Sequence, residues 1–391
     1  MDIRCKSCGN ISVIVFFSIS RIPVHSVLNI PDQIAARRFP TGSLRLGFCE
    51  SCGFIFNTAF SPDLLGYDTG YEATQSYSKT FNSFAVKQAK TLIDRYELHD
   101  KDILEIGCGN GEFLILLCDM GGNRGTGFDP SYVADRARSK KKREIRFIKD
   151  YYSEEYSHIK PDFLLCKMTL EHVANVGDFT RMVRRTIGDS PDTVVFFQVP
   201  DVTRILTECA FEDIYYEHCS YFSPGSLARL FRRTGFEVVG LETDYSDQYV
   251  TIETKPVDQE TDCHLEAERD FDKLKRLVED FPNRIGPKIA DWRHRLKTTK
   301  SSNRRAVIWG SGSKGVAFLA ATDENSQIEY VVDINPHRQG TYMAGSGQLI
   351  VAPEFLKEYR PDLVIIMNSI YLDEISSDLD RMRLKPEVMT L

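Results

Sequence analysis

The chain has 391 residues, 42% of them hydrophobic and 27% charged, with a formal net charge of −7. That composition fits a globular protein of roughly two to three domains. Its acidity excludes DNA or an anionic membrane as the main partner, because both require a basic face.

No apolar run reaches the ~20 residues needed to span a bilayer. The longest, "ISVIVFFSIS" at 11–20, lacks the basic start and small-residue cleavage site of a signal peptide. The expectation is a cytoplasmic chain, in which ten cysteines do not form a disulfide framework.

Four of the cysteines form two matched pairs, "CKSCG" (Cys5, Cys8) and "CESCG" (Cys49, Cys52). Two C-x-x-C turns supply four thiolates and close a tetrahedral site, so residues 1–60 are expected to be a small domain built on a structural Zn2+. Four thiolates leave no open position for catalysis. So short a segment has too little core of its own, and the metal makes up the stability.

Residues 61–256 are expected to form the main α/β domain, entered through a helical, tyrosine-rich arm. The arm carries Tyr67, Tyr71, Tyr77 and Phe81 ahead of an amphipathic helix with Phe84, Ala85, Ala89, Leu92, Ile93 and Tyr96 on one face. It reads as a lid over the site or as a packing arm.

Beyond it, "DILEIGCGNGEFLILLCDMG" is a strand, a glycine turn and a helix, and further strands alternate with helices to 256. That predicts a doubly wound sheet. The turn carries Gly107, Gly109 and Gly111, a G-x-G-x-G pattern without the third glycine of a dinucleotide fingerprint. Glu105 ends the strand beside it. A carboxylate there opposes a pyrophosphate and suits a cation, so the ligand expected is S-adenosylmethionine, held by Glu105, Gly107, Cys108, Gly109 and Gly111. Asp129 ends the next strand and faces the ribose hydroxyls; Asp150 ends the one after and faces the adenine amino group. The fold expected is the class I methyltransferase sheet.

Residues 257–303 are charged but periodic and predict two helices, separated at Pro282. One carries Phe271, Leu274, Val278 and Phe281; the other carries Ile285, Ile289, Trp292 and Leu296. Residues 304–391 start a second, Rossmann-like α/β domain. "WGSGSKG" holds Gly310, Gly312 and Gly315, with Asp333 at the end of the following strand. The expectation is a phosphate or nucleotide-diphosphate grip at the helix start, with Ser311, Ser313 and Lys314 helping. A mobile loop at 337–347 would bring His337 and Arg338 to an anionic group.

The segment "EDIYYEHCSYFSPGSLARLF", 212–231, packs three tyrosines, a glutamate, a histidine and a cysteine between Tyr215 and Tyr221. With "CKSCG…CESCG", "YEATQSYS", "LEIGCGNGEFL", "LEHV" and "YVVDINPHRQGTYMAG", it resembles the three-domain C-methyltransferases acting on nucleotide-linked deoxy sugars. In that family a base removes the proton alpha to a C4 ketone, and the enolate takes the methyl group.

The resemblance implies Tyr215, Glu217 and His218 at the sugar. His218 is the first choice of base, since an imidazole suits proton abstraction near neutrality, with Glu217 or Tyr215 to orient it or stabilise the enolate. It also implies Tyr71 on the substrate side, Tyr77 as a second candidate, and His172 at the end of the fourth strand. Met168 stands where some relatives carry an asparagine, and it offers no hydrogen-bond donor. The small-molecule partner implied is a nucleotide-linked sugar or related carbonyl compound. O- or N-methylation of a small molecule and an NAD-type oxidoreductase on 310–333 are the competing readings.

Overall fold

The computed structural model describes residues 3–66, 70–134, 136, 144–188, 190–259, 261, 263–322 and 327–391. Among these residues no helix is long and apolar enough to cross a membrane. Tyr67 of the tyrosine arm lies outside them.

The chain opens with β1 (Val13–Pro23), α1 (Gln33–Arg37), β2 (Thr41–Cys49) and β3 (Ile55–Asn57). Alternation builds β2: Leu44, Leu46 and Phe48 point inward while Arg45 stays exposed. Asp32 caps α1 by accepting from Ala35 N at 2.7 Å. The three strands pair antiparallel in the order β1-β2-β3.

The middle of the chain forms α2 (Lys79–Tyr96), β4 (Asp102–Ile106), α3 (Glu112–Gly121), β5 (Arg124–Phe128), β6 (Ile145–Ile148), β7 (Phe163–Lys167) and α4 (Val176–Ile187). It continues with β8 (Val194–Pro200), α5 (Val202–Glu208), β9 (Ser220–Tyr221), α6 (Pro224–Arg233), β10 (Phe236–Asp244) and β11 (Tyr249–Pro256).

Ser78 caps α2, and the helix buries Ala89, Leu92 and Ile93 as their spacing predicts. The seven-stranded sheet runs β10-β11-β8-β7-β4-β5-β6, with β11 antiparallel to both neighbours. Strand order reverses between β4 and β7. The turns after those strands therefore sit side by side, which is where doubly wound sheets bind ligands. The short β9 leaves this sheet and pairs with β3, Ile55 opposite Tyr221 and Phe56 opposite Ser220.

Residues 271–301 correct the two-helix expectation. They form one helix, α7 (Phe271–Ser301), with Pro282 and Pro287 inside it. Each proline removes a backbone hydrogen bond and crowds the preceding turn. Burial offsets this: Leu274, Val278, Phe281, Ile285, Trp292 and Leu296 form one continuous stripe. Phe281 meets the rings of Phe16 and Phe17 from β1 at 6.1 and 5.5 Å. The same core runs into the last sheet through Phe318, 5.3 Å from Trp292.

That sheet is built from β12 (Ala306–Trp309), α8 (Ser313–Thr322), β13 (Tyr330–Val332), β14 (Leu349–Val351), α9 (Leu356–Tyr359), β15 (Leu363–Ile366), α10 (Leu372–Arg381) and β16 (Glu387–Thr390). All its strands are parallel, in the order β14-β13-β12-β15-β16. The loop 337–347, expected to be mobile, is tied down instead. Tyr342 N donates to Ile30 O and Gly345 N to Ala36 O, at 2.9 and 2.8 Å.

Candidate active site

A cavity of about 340 Å3 lies where the C-terminal ends of the parallel strands of the two larger sheets face each other, the usual ligand position in such folds. Met168, Glu171 and His172 reach it from the turn after β7. Asp213, Tyr215 and His218 come from the segment before β9. Gly312, Ser313 and Lys314 come from the start of α8, and 71–78 closes one side. Met168 holds φ +51, a conformation that bulky side chains rarely adopt and that clusters at functional sites.

The residues from 215 to 222 divide between the cavity and the core. Tyr216, Cys219, Tyr221 and Phe222 are buried packing groups. A Cβ on Gly42 would sit 2.2 Å from the Tyr216 ring, so β2 needs glycine there. Tyr215 and His218 face the cavity, with Tyr215 Oη 2.8 Å from His218 Nε2. The His172 ring meets the His218 ring edge-on at 4.9 Å.

Burial, with His172 and Lys314 nearby, holds the His218 imidazole well below its ordinary value. Burial first, then Asp213, Glu171 and Glu217, pushes Tyr215 well up, so it remains a phenol. The histidine is therefore a neutral base beside a neutral hydroxyl at physiological pH.

Glu217 does not face His218. It accepts from His25 Nδ1 at 3.0 Å, from Ser26 N at 2.8 Å and from Ser26 Oγ. Gly66 N donates to His25 Nε2 at 3.1 Å, which puts the ring hydrogen on Nδ1, toward Glu217. The expected orienting role on His218 is thus corrected: Glu217 fastens the N-terminal segment to the cavity wall. The carboxyl near His218 is Glu171, its Oε1 3.9 Å from Nε2. Nothing in the spacing of the sequence marks Glu171, because "EH" at the end of a strand singles out the histidine.

The glycine turn after β4 is shaped by close approach. A Cβ on Gly107 (φ +71) would fall 2.0 Å from Thr169 Oγ1, and one on Gly111 (φ +83) 2.2 Å from Phe147. Gly107→Ala is expected to cost about 2–4 kcal/mol, from overpacking plus left-handed strain, read as a lower Tm. Gly109 (φ +54) meets nothing within 4 Å and presents an open face. Its N–H donates to Asp129 Oδ2 at 2.8 Å, and Ser131 N and Oγ donate to Oδ1.

Glu105 is buried with Oε2 unpartnered, and burial raises its pKa. Burial likewise lowers that of Lys167, whose Nζ bonds Gln88 and sits 3.3 Å over the Phe113 ring. Cys108 is buried as a thiol. Asp150 is exposed and accepts from Tyr156 Oη at 2.6 Å. None of these turn residues lines the 340 Å3 cavity. The open face at Gly109 and the unpartnered Glu105 oxygen fit a cationic adenosyl ligand on this turn.

The arm belongs to the cavity wall and also packs. Tyr71 and Tyr77 line the cavity, and Tyr77 lies 6.1 Å from the His337 ring. Glu72 pairs with Arg136 and accepts from Asn335 at 3.2 Å; Thr74 donates to Glu112 at the start of α3. Glu374 of α10 accepts from Ser78 Oγ and from the N–H groups of Lys79 and Thr80.

At the second glycine turn, Gly312 is open, while a Cβ on Gly315 would meet Gly310 O at 2.4 Å. Lys314 and Arg204 both pair with Asp213. Arg338 was expected to reach an anion. It is buried and donates to Ser311 Oγ at 2.6 Å, Ser311 O at 2.7 Å and Glu72 O at 3.2 Å. Its fork is occupied by the protein, because burying a guanidinium requires local acceptors.

Cys5, Cys8, Cys49 and Cys52 come together with all four Sγ atoms within 4.8 Å of one another. Cys5–Cys52 and Cys8–Cys49 are 3.7 and 3.6 Å apart. Thiolates at 2.3 Å around a tetrahedral zinc stand about 3.8 Å apart, so the cluster fits that ion.

Comparison with known proteins gives the site its setting. A family model described as a methyltransferase domain matches residues 81–241, and one described as a C-methyltransferase C-terminal domain matches 248–386. The chain is 24% identical to C-methyltransferase NovU of Streptomyces niveus, covering 95% of this chain and 91% of that protein. Among solved structures, magnesium protoporphyrin IX methyltransferase from Synechocystis matches at 11% identity, with TM-score 0.36, over 45% of this chain and 84% of its own. The Burkholderia thailandensis 1,6-didemethyltoxoflavin-N1-methyltransferase matches at 15% identity, TM-score 0.36, over 52% and 96%. The chain, a class I α/β fold, is an S-adenosylmethionine-dependent methyltransferase that carries both a methyltransferase domain and a C-methyltransferase C-terminal domain.

Proposed function

We propose that the enzyme methylates a carbon alpha to a carbonyl, in a nucleotide-linked sugar or related small molecule, through a base-assisted enolate. The observation that carries this reading is the buried Tyr215–His218 pair, 2.8 Å apart, in a cavity beside the glycine turn. Neutral imidazole takes the alpha proton, and the phenol donates to the oxygen on which negative charge develops. With hydrogen on Nε2 toward Tyr215 Oη, the Nδ1 lone pair is the base and the tyrosine hydrogen is free for the carbonyl oxygen. His218 Nδ1 has no hydrogen-bond partner among the described residues, which agrees with that tautomer.

Bound S-adenosylmethionine supplies an electrophilic methyl group for the enolate carbon. Glu105, Gly107, Cys108, Gly109, Gly111, Asp129 and Asp150 are the residues assigned to hold it. Asp129→Ala is expected to weaken S-adenosylhomocysteine binding about 10- to 100-fold, the loss of a charge-assisted hydrogen bond. Titration calorimetry checks it, and an unchanged Kd would remove Asp129 from the cofactor site.

Tyr71, Tyr77 and His172 border the acceptor in this reading. Gly312 and Lys314, at the start of α8, stand where a diphosphate would meet helix N–H groups. The four-cysteine cluster is assigned to structural Zn2+.

The test is isotope exchange. With S-adenosylhomocysteine in place of the donor, a ketone substrate in D2O should gain deuterium at its alpha carbon. An acceptor methylated without such exchange points to O- or N-transfer instead.

A further inference from the structure

Six carboxylates line the cavity: Glu72, Glu171, Asp213, Asp333, Glu374 and Asp378. Five are met by protein donors. Arg136 and Asn335 meet Glu72, Arg204 and Lys314 meet Asp213, and Ser311 and Asn335 meet Asp333. Ser78 and Thr80 meet Glu374, and Arg381 meets Asp378.

Glu171 differs. It is 1% exposed, both oxygens are buried, and neither has a partner among the described residues. Native proteins rarely leave such groups unpaired unless a ligand or water completes them. Its turn is fixed against the catalytic segment, because Cys219 Sγ donates to Glu171 O at 3.6 Å. At 3.9 Å from His218 Nε2, the carboxyl is too far for a direct hydrogen bond. It is near enough for one small molecule to reach both groups.

We propose that Glu171 receives a hydroxyl of the acceptor, carried on the methylated carbon or on the carbon next to it. This rests on the C-methylation reading above. Glu171 and His218 line the same cavity, so an acceptor whose C–H meets the imidazole can bring a hydroxyl on the same or adjacent carbon to Glu171. Burial pushes the Glu171 carboxyl up to about 8, so near neutrality it is largely uncharged. A neutral carboxyl both donates to and accepts from a hydroxyl. The acceptor class is therefore a hydroxylated carbonyl compound, and a simple ketone leaves Glu171 unsatisfied.

The experiment compares wild type, Glu171→Gln and Glu171→Ala on a nucleoside-diphosphate-linked 4-keto-6-deoxyhexose and on analogues each lacking one ring hydroxyl. Glu171→Ala is expected to lower kcat/KM roughly 10- to 100-fold, with partial recovery in Glu171→Gln. One deoxy analogue should cost the wild type a similar factor and cost Glu171→Ala nothing further. S-adenosylhomocysteine affinity should be the same in all three proteins, which shows that the fold is intact. If the two losses multiply for every analogue, Glu171 holds water or serves structure and the proposal fails, while C-methylation stands. If wild type methylates none of the compounds, the functional reading falls and this one with it.

Discussion

His218→Ala is expected to lower methyl transfer by about 10³-fold and to leave S-adenosylhomocysteine affinity within about twofold, since a positioned general base contributes 10²–10⁴. The imidazole lines the cavity, whereas the residues assigned to the cofactor, on β4 and in the turns after β4, β5 and β6, do not. Tyr215→Phe should cost less, because it removes one hydrogen bond to the developing charge and leaves the base in place.

The pH profile adds a second readout. The base must be unprotonated, and burial holds its pKa well below the ordinary 6.5. Lowering the pH through 6.5 should therefore leave kcat/KM flat, with the acid limb appearing only well below that. An acid limb centred at 6.5 or above would mean that another group is the base. Retained turnover in His218→Ala would say the same.

The second large effect is expected from Cys49→Ser or from stripping metal with a chelator. Where a four-thiolate zinc holds a small unit together, its binding energy is folding energy, so the loss should be several kcal/mol. The damage should also reach the cavity. β3 pairs with β9, and Asn57 N donates to Cys219 O at 2.9 Å, one residue beyond His218. Glu217 binds His25 and Ser26 from the same N-terminal segment.

Turnover should thus fall at least about tenfold in step with zinc content, with S-adenosylhomocysteine binding retained. Elemental analysis, thermal melts and calorimetry on one preparation check all three. A zinc-free variant with full activity would sever the proposed link between the cysteine cluster and His218.

Much of the architecture was legible in the residues because it depends on local rules. The turn at 107–111 declares itself through glycines that only left-handed or crowded backbone requires. The inward face of α2 follows from a 3.6-residue period. The two C-x-x-C turns signal each other by matching, although 40 residues separate them. Even the error over α7 was half right. The apolar positions were visible as two faces broken at Pro282, but not that they would form one buried stripe whose burial outweighs two prolines.

The sequence by itself determined most of the strands, helices and glycine turns, that four thiols belong together, and that Tyr215 and His218 are candidates for the chemistry. Only the tertiary structure decided where each side chain of that segment points. Glu217 meets a histidine 192 positions away, Arg338 meets Ser311 and the arm, and Glu171 is left facing the cavity without a partner. Periodicity is a property of neighbours along the chain, but the pairing of a buried charge is settled by whichever donors packing brings within about 3 Å.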